Sequence, residues 1–319
     1  MLSEQKTKNL INKYAKEYDV LPQQLYSLYG LEQLLVKIDQ SEYRNSFVLK
    51  GGYLLASIYG LSNRVTRDLD ATIRHMALTE EKVQEFIRFI ESPNDKGVQQ
   101  FQLKKQKIIR EKFEYDGYNL KFTFLNGKMK IPIEIDMTTG EQLLPLLEEQ
   151  TIPLMFGEGS IHFPMYPLEQ ILSDKLYTTI AYGSIDDTNS RTKDLYDIYF
   201  LTKFNDKLSV ETIGQSIQET LKQRNMNVPI REFQNILTTI ETSPFQQKQW
   251  KNFEKENSYA SGVSFESIMN QVKRFSMNVI DAIEQKPREK LSVADKLKEA
   301  QNKMSTKEVK QFFSEERER

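Results

Sequence analysis

The chain has 319 residues, enough to bury a sizeable core in one or two domains. A formal net charge of −1 gives no global basic field, so any nucleic-acid contact must come from a local patch. With no cysteine, and with His75 and His162 as the only histidines, disulfides, thiol catalysis and thiolate zinc sites are excluded, and a histidine metal centre or a Ser-His-Asp triad is disfavoured. The chemistry must therefore rest on carboxylates, lysine and arginine. The lack of cysteine fits a reducing cytoplasm. No apolar run approaches membrane-spanning length, and Met1–Tyr14 is too polar for a signal peptide.

In chain order, residues about 4–40 read as two helices, the second carrying Leu25, Leu28, Leu31, Leu34 and Leu35 at helical spacing. Phe47-Val48-Leu49 is a short apolar run that reads as a buried strand ending at Gly51-Gly52. Leu54, Leu55, Ile58 and Tyr59 form a helical stripe closed by Gly60. Asp68 to Ile73 reads as the next strand. Thr79 with Glu80 starts a helix bearing Val83, Phe86, Ile87 and Ile90. The period then changes to 2. Ile108–Tyr115, Tyr118–Leu125 and Lys130–Met137 read as a three-stranded meander turned at Asp116-Gly117 and Asn126-Gly127. From about Tyr166 the pattern is helical, with Pro167 as a first helical residue and Ser243-Pro244 as a start signal before Phe245–Phe253. Phe265, Ile268, Met269, Val272, Phe275, Val279 and Ile283 form an amphipathic stripe that Lys286-Pro287 breaks, and Arg288–Arg319 is a charged tail with sparse apolar residues. A mixed part followed by a helical part argues an α+β chain of two domains, 1–160 and 161–319.

The densest chemistry lies at Lys50-Gly51-Gly52 and Arg64-Val65-Thr66-Arg67-Asp68-Leu69-Asp70. A glycine pair at a helix start lets backbone N–H groups approach a phosphate. Asp68 and Asp70, two apart on a strand, share one face and can hold divalent metal; the plainer alternative is a pair of solvated acids at a strand edge. In the last meander strand Ile131, Ile133 and Ile135 share one face, and Glu134 and Asp136 the other. Asp136 is the natural third carboxylate, as base or metal ligand, and is preferred over Glu134 because its short side chain lies nearer the strand end. Lys175 falls on a face defined by Leu168, Ile171, Leu172, Leu176 and Thr179, so its charge either reaches a triphosphate in a cleft or snorkels outward. Arg191, Asp194 and Asp197 can share one side of a helix start; the helix dipole alone accounts for Asp194 better than for Asp197. Lys104, Lys105, Lys107, Arg110 and Lys112, beside Phe101, Phe113 and Tyr115, either track an RNA backbone or protect a sheet edge.

Together these motifs resemble the AbiEii/AbiGii nucleotidyltransferase-like toxins of bacterial toxin–antitoxin and abortive-infection systems. The resemblance covers most of residues 40–205 and rests on Leu49-Lys50-Gly51-Gly52, Arg64-x-Thr66-x-Asp68-x-Asp70, Glu134-Ile135-Asp136, Asp174-Lys175-Leu176 and Arg191-x-x-Asp194-Leu195-Tyr196-Asp197. It implies a polymerase-β-like nucleotidyltransferase core with a mixed sheet, followed by an α-helical C-terminal domain. It also implies that Lys50, Gly51, Gly52, Arg64 and Thr66 lie on the nucleotide side. Asp68, Asp70 and Asp136 would hold Mg²⁺ (or Mn²⁺), Lys175 would contact phosphate, and Asp194 and Asp197 would support the site. The wider superfamily more often has Gly-Ser where this chain has Gly51-Gly52, so a serine hydroxyl is missing from the phosphate loop.

The implied activity is transfer of a nucleoside monophosphate from an NTP to an acceptor hydroxyl, the 3′ end of tRNA by analogy, which would block translation. A cognate antitoxin encoded nearby is implied as partner. The alternatives are transfer to a small molecule or a protein, or a non-catalytic nucleotide sensor. Residues beyond about 205 carry no matching motif.

Overall fold

The leucine-spaced N-terminal stretch folds into two helices, α1 (Glu4–Glu17) and α2 (Pro22–Asp39). Ser3 caps α1 by accepting the Lys6 N–H, and Leu25, Leu28, Leu31, Leu34 and Leu35 of α2 are all fully buried. The computed structural model describes residues 2–109, 117–140, 147–183, 185, 191–223 and 228–285. Seven strands form one sheet: β1 (Phe47–Lys50), β2 (Asp68–Ile73), β3 (Phe101–Ile109), β4 (Gly117–Asn126), β5 (Met129–Thr138), β6 (Glu148–Pro153) and β7 (Ser160–Met165). Their order across the sheet is β3-β4-β5-β2-β1-β7-β6. β1 runs antiparallel to β2, while β2 with β5 and β1 with β7 are parallel, so the sheet is mixed. Ile131, Ile133 and Ile135 turn inward from β5 and are almost fully buried, as the alternation predicts.

Between and after the strands lie α3 (Gly51–Tyr59), α4 (Glu80–Glu91), α5 (Leu168–Gly183), α6 (Thr192–Phe204), α7 (Val210–Gln223), α8 (Phe233–Thr242), α9 (Pro244–Glu256) and α10 (Phe265–Gln285). Thr79 caps α4 and Ser243 caps α9, each accepting the N–H three residues on. Pro167 sits one residue outside α5, and its carbonyl accepts the Ile171 N–H. All described strands end by Met165, and the described regular elements from Leu168 onward are helices.

Three expectations need correction or fall outside the described residues. The first meander strand is Phe101–Ile109 rather than Ile108–Tyr115, because Phe101 and Leu103 pair with Phe124 and Phe122 across the sheet. Asp116 of the expected turn, together with Arg110, Lys112, Phe113 and Tyr115, lies outside the described residues, as do Lys286-Pro287 and the tail. The β6–β7 hairpin was not legible: its strands are short, and each carries a proline that weakens the strand signal, Pro153 and Pro164. Contacts divide the chain into a unit Met1–Ile280 and a unit Asp281–Arg319; of the second, only Asp281–Gln285 is described. Among the described residues no helix is long and apolar enough to cross a membrane.

Candidate active site

β1 delivers Lys50 to its end, directly opposite Asp70 of the antiparallel neighbour β2. The chain then turns through Gly51 at φ 67°, in the left-handed region that favours glycine, and enters α3. A Cβ on Gly51 would fall 2.0 Å from Asp70 Oδ2, and one on Gly52 would fall 2.6 Å from Thr66 Oγ1. The glycine pair is thus required by close approach to the carboxylate and hydroxyl below it. The space a serine would need at position 52 is filled by Thr66, whose hydroxyl hydrogen-bonds the Asp68 carboxylate.

Parallel pairing sets Asp68 beside Glu134 and Asp70 beside Asp136. Register alone therefore brings Asp68, Asp70 and Asp136 to one face of two adjacent strands. Asn119 of β4 donates to both Glu134 and Asp136, at 2.6 Å each, and Lys121 pairs with Glu134 at 3.0 Å. Lys50 Nζ donates to Thr138 Oγ1 at 2.7 Å and lies 5.5 Å from the Tyr166 ring centre.

The opposite wall comes from the helices. Lys175 of α5 is nearly buried and lies 2.8 Å from both Asp194 Oδ1 and Asp197 Oδ2. Asp197 also accepts from Arg64 Nε at 2.8 Å, and both members of that pair are buried. Arg191 reaches Asp194 at 3.5 Å, and Lys193 reaches Asp68 at 3.7 Å. Between the walls is a cleft of about 270 Å³. Lys50, Gly51, Gly52, Asp68 and Asp70 line its sheet side; Arg64, Lys175, Arg191, Lys193 and Asp194 line its other side. Thr66 lines an adjoining cleft instead, and neither Asp136 nor Asp197 is among the residues lining either one.

Electrostatics separate the acids. Burial pushes the Asp70 carboxyl up to about 6, and the charges of Asp68 and Asp136 add to this while Lys50 opposes it. Burial also raises Asp68, but Lys193, the Thr66 hydroxyl and Arg64 outweigh it and hold Asp68 below the usual carboxylate range. Asp136 is raised, chiefly by burial, against the Asn119 hydrogen bond. Burial opposes ionisation of Asp197 too, yet Arg64 and Lys175 bring it down to about 2. The same attraction, from Asp194 and Asp197, outweighs burial and raises Lys175.

The donor chemistry suits a hard divalent cation: carboxylate oxygens on one face, with mutual repulsion that a cation would relieve. As the side chains stand, no three acids or histidines among the described residues are gathered into a cage. That fits a metal completing its shell with substrate phosphates rather than one held by protein alone.

The sequence reading assigned no role to Lys193, Asn119 or Thr138. A lysine in the first turn of α6 runs against the helix dipole, a signal that could have pointed to Lys193. Asn119 and Thr138 acquire meaning only from strand register.

A glycine turn facing paired strand acids, closed by a basic helical wall, defines a nucleotidyltransferase-type site on a mixed α+β fold. The family described as nucleotidyl transferase AbiEii toxin, type IV toxin–antitoxin system, matches residues 33–271, and the chain belongs to it. It is accordingly a nucleotidyltransferase toxin, and membership implies an NTP substrate, a divalent metal and a cognate antitoxin.

Among solved structures, the chain is similar to MenT4, a nucleotidyltransferase toxin of Mycobacterium tuberculosis, at TM-score 0.59 and 15% identity, covering 86% of this chain and 89% of that one. It is more distantly similar to JHP933 from Helicobacter pylori, at TM-score 0.43 and 16% identity, covering 83% and 95%. No curated protein sequence matches.

Proposed function

We propose that the protein, acting in the cytoplasm, moves a nucleoside monophosphate from an NTP to the 3′-terminal hydroxyl of tRNA, and that this arrest of translation serves defence against phage. The observation that carries the reading is the juxtaposition of Asp68 and Asp70 with the Gly51-Gly52 turn in one cleft with Lys175 and Lys193. Asp68 and Asp70, with Asp136 one strand away, would hold Mg²⁺ or Mn²⁺. That metal would neutralise the triphosphate and polarise the α-phosphorus.

The chain's own residues do the rest. The N–H groups opening α3 cradle phosphate oxygens. Lys175, Lys193 and Arg191 place positive charge where pyrophosphate develops it on leaving. Lys50 offsets the charge of Asp70, and Thr66 fixes the Asp68 carboxylate. Arg64 and Asp197 hold Lys175 and Asp194 in place from beneath. Asp136 is the candidate base for the attacking hydroxyl. Two parts of the chain, 1–160 and 161–319, supply the two walls. The antitoxin is read as encoded beside the gene.

The test is incubation with each α-³²P-labelled NTP, Mg²⁺ and total tRNA, comparing wild type with Asp68→Ala. Label in tRNA from wild type but not from the variant is expected. Label on protein or a small molecule, or none at all, overturns the tRNA reading.

A further inference from the structure

A second cleft, of about 460 Å³, adjoins the first and shares Asp68 and Lys193 with it. It lies between α2 and α9, elements to which the activity assigns no role. Its lining is rich in amides: Gln24 from α2, Gln249 and Asn252 from α9, and Asn257 just beyond. Gln24 is only 8% exposed, and no hydrogen-bond partner for its side chain exists among the described residues. The side chains of Gln249, Asn252 and Arg67 are likewise without partners among the described residues. Phe253 also faces this space, half-buried and backed by Tyr196, Trp250 and Tyr259 at ring separations of 6.0, 5.5 and 6.1 Å.

We infer that this cleft seats the terminal nucleoside of a polynucleotide acceptor, an assignment that rests on the transfer to RNA argued above. Buried amides without partners are costly unless a ligand satisfies them, and an amide presents both donor and acceptor to a base edge. A buttressed aromatic ring offers a face for stacking. Glu256, also in the lining, can accept from a base amine or a ribose hydroxyl but repels phosphate, which places the backbone toward Arg67 instead.

Two features favour the acceptor over the donor nucleoside. The triphosphate's cradle and basic residues lie on the first-cleft side of Asp68, and in-line attack brings the acceptor from the side opposite the leaving pyrophosphate. In addition, Arg67 is an exposed cation in the second cleft, separate from the triphosphate cradle. A donor nucleoside carries no further phosphate for it, whereas a polynucleotide end does.

The experiment measures KM for total tRNA and for the labelled NTP separately, in wild type, Gln249→Ala/Asn252→Ala and Arg67→Gln. The double variant should raise KM for tRNA by about tenfold, with KM for the NTP unchanged. Arg67→Gln should lower the slope of log KM for tRNA against log salt by about one. A structural role for Arg67 would not change that slope. A rise in KM for the NTP alone would assign the cleft to the donor and overturn the proposal, and so would wild-type values for both variants. Transfer of label by wild type only to acceptors other than RNA would remove the RNA reading and this subsite with it. Failure of the subsite alone leaves wild-type tRNA labelling intact.

Discussion

Arg64 and Asp197 meet across 133 residues of sequence, Nε to Oδ1 at 2.8 Å, both buried beneath the cleft floor. The same carboxylate holds Lys175 at 2.8 Å, so one acid organises two cations from different parts of the chain. Removing it leaves two buried positive charges without their partner. Asp197→Asn should cost about 3–5 kcal/mol of stability, measured by denaturant unfolding. Asp194→Asn, at a more exposed position, should cost clearly less. Equal losses from the two would refute the central role of Asp197.

The Gly51 turn makes a sharper claim about activity. Alanine there meets both the positive φ and the 2.0 Å approach to Asp70 Oδ2. Gly51→Ala should lower transfer by about 100-fold or more, because the carboxylate must move by roughly an ångström. Transfer close to wild type, at equal folded protein by circular dichroism, would show that the contact between turn and acid is dispensable.

Glu32 gives stability a pH dependence. It is fully buried in α2 and accepts the N–H groups of Met155 and Phe156. Burial, opposed by those two hydrogen bonds, pushes its carboxyl from 4.5 up to about 7. The native state therefore binds this proton more tightly than the unfolded chain. The resulting stabilisation is complete below about 4.5 and lost as pH rises through about 7. Measured against Glu32→Gln, which does not titrate, wild-type stability should decline across that window by on the order of 3 kcal/mol. A flat difference between the two proteins would contradict the assignment.

Lys104, Lys105 and Lys107 stand exposed on β3, an edge of the sheet. Of the two readings the sequence allowed, edge protection fits this position directly. Replacing all three with alanine should increase aggregation, seen by light scattering, with transfer unchanged within about twofold. A raised KM for tRNA with little aggregation would instead favour RNA tracking.

The local pieces of the site were legible because local chemistry writes them. Gly51-Gly52 had to be a tight turn, Asp68 and Asp70 had to share a strand face, and alternation fixed Asp136 opposite the Ile131–Ile133–Ile135 face. Helix starts at Thr79 and Ser243 followed from capping, which involves only three or four residues. The short, proline-bearing strands β6 and β7 carried too little local signal and are fixed by pairing with each other and with β1.

What only the tertiary structure decided is which groups meet. Pairing of β2 with β5 put Asp136 beside Asp70, and Asn119 gained its two carboxylate partners through the β4 register. Arg64, expected on the nucleotide, is bound to Asp197, and Lys175 lies between two acids of α6. Sequence by itself determined the residue types, the turn and the faces, since φ preference and side-chain period act within a few residues. The tertiary structure decided the ion pairs and the amide-lined cleft between α2 and α9, since charge and burial act between segments more than a hundred residues apart.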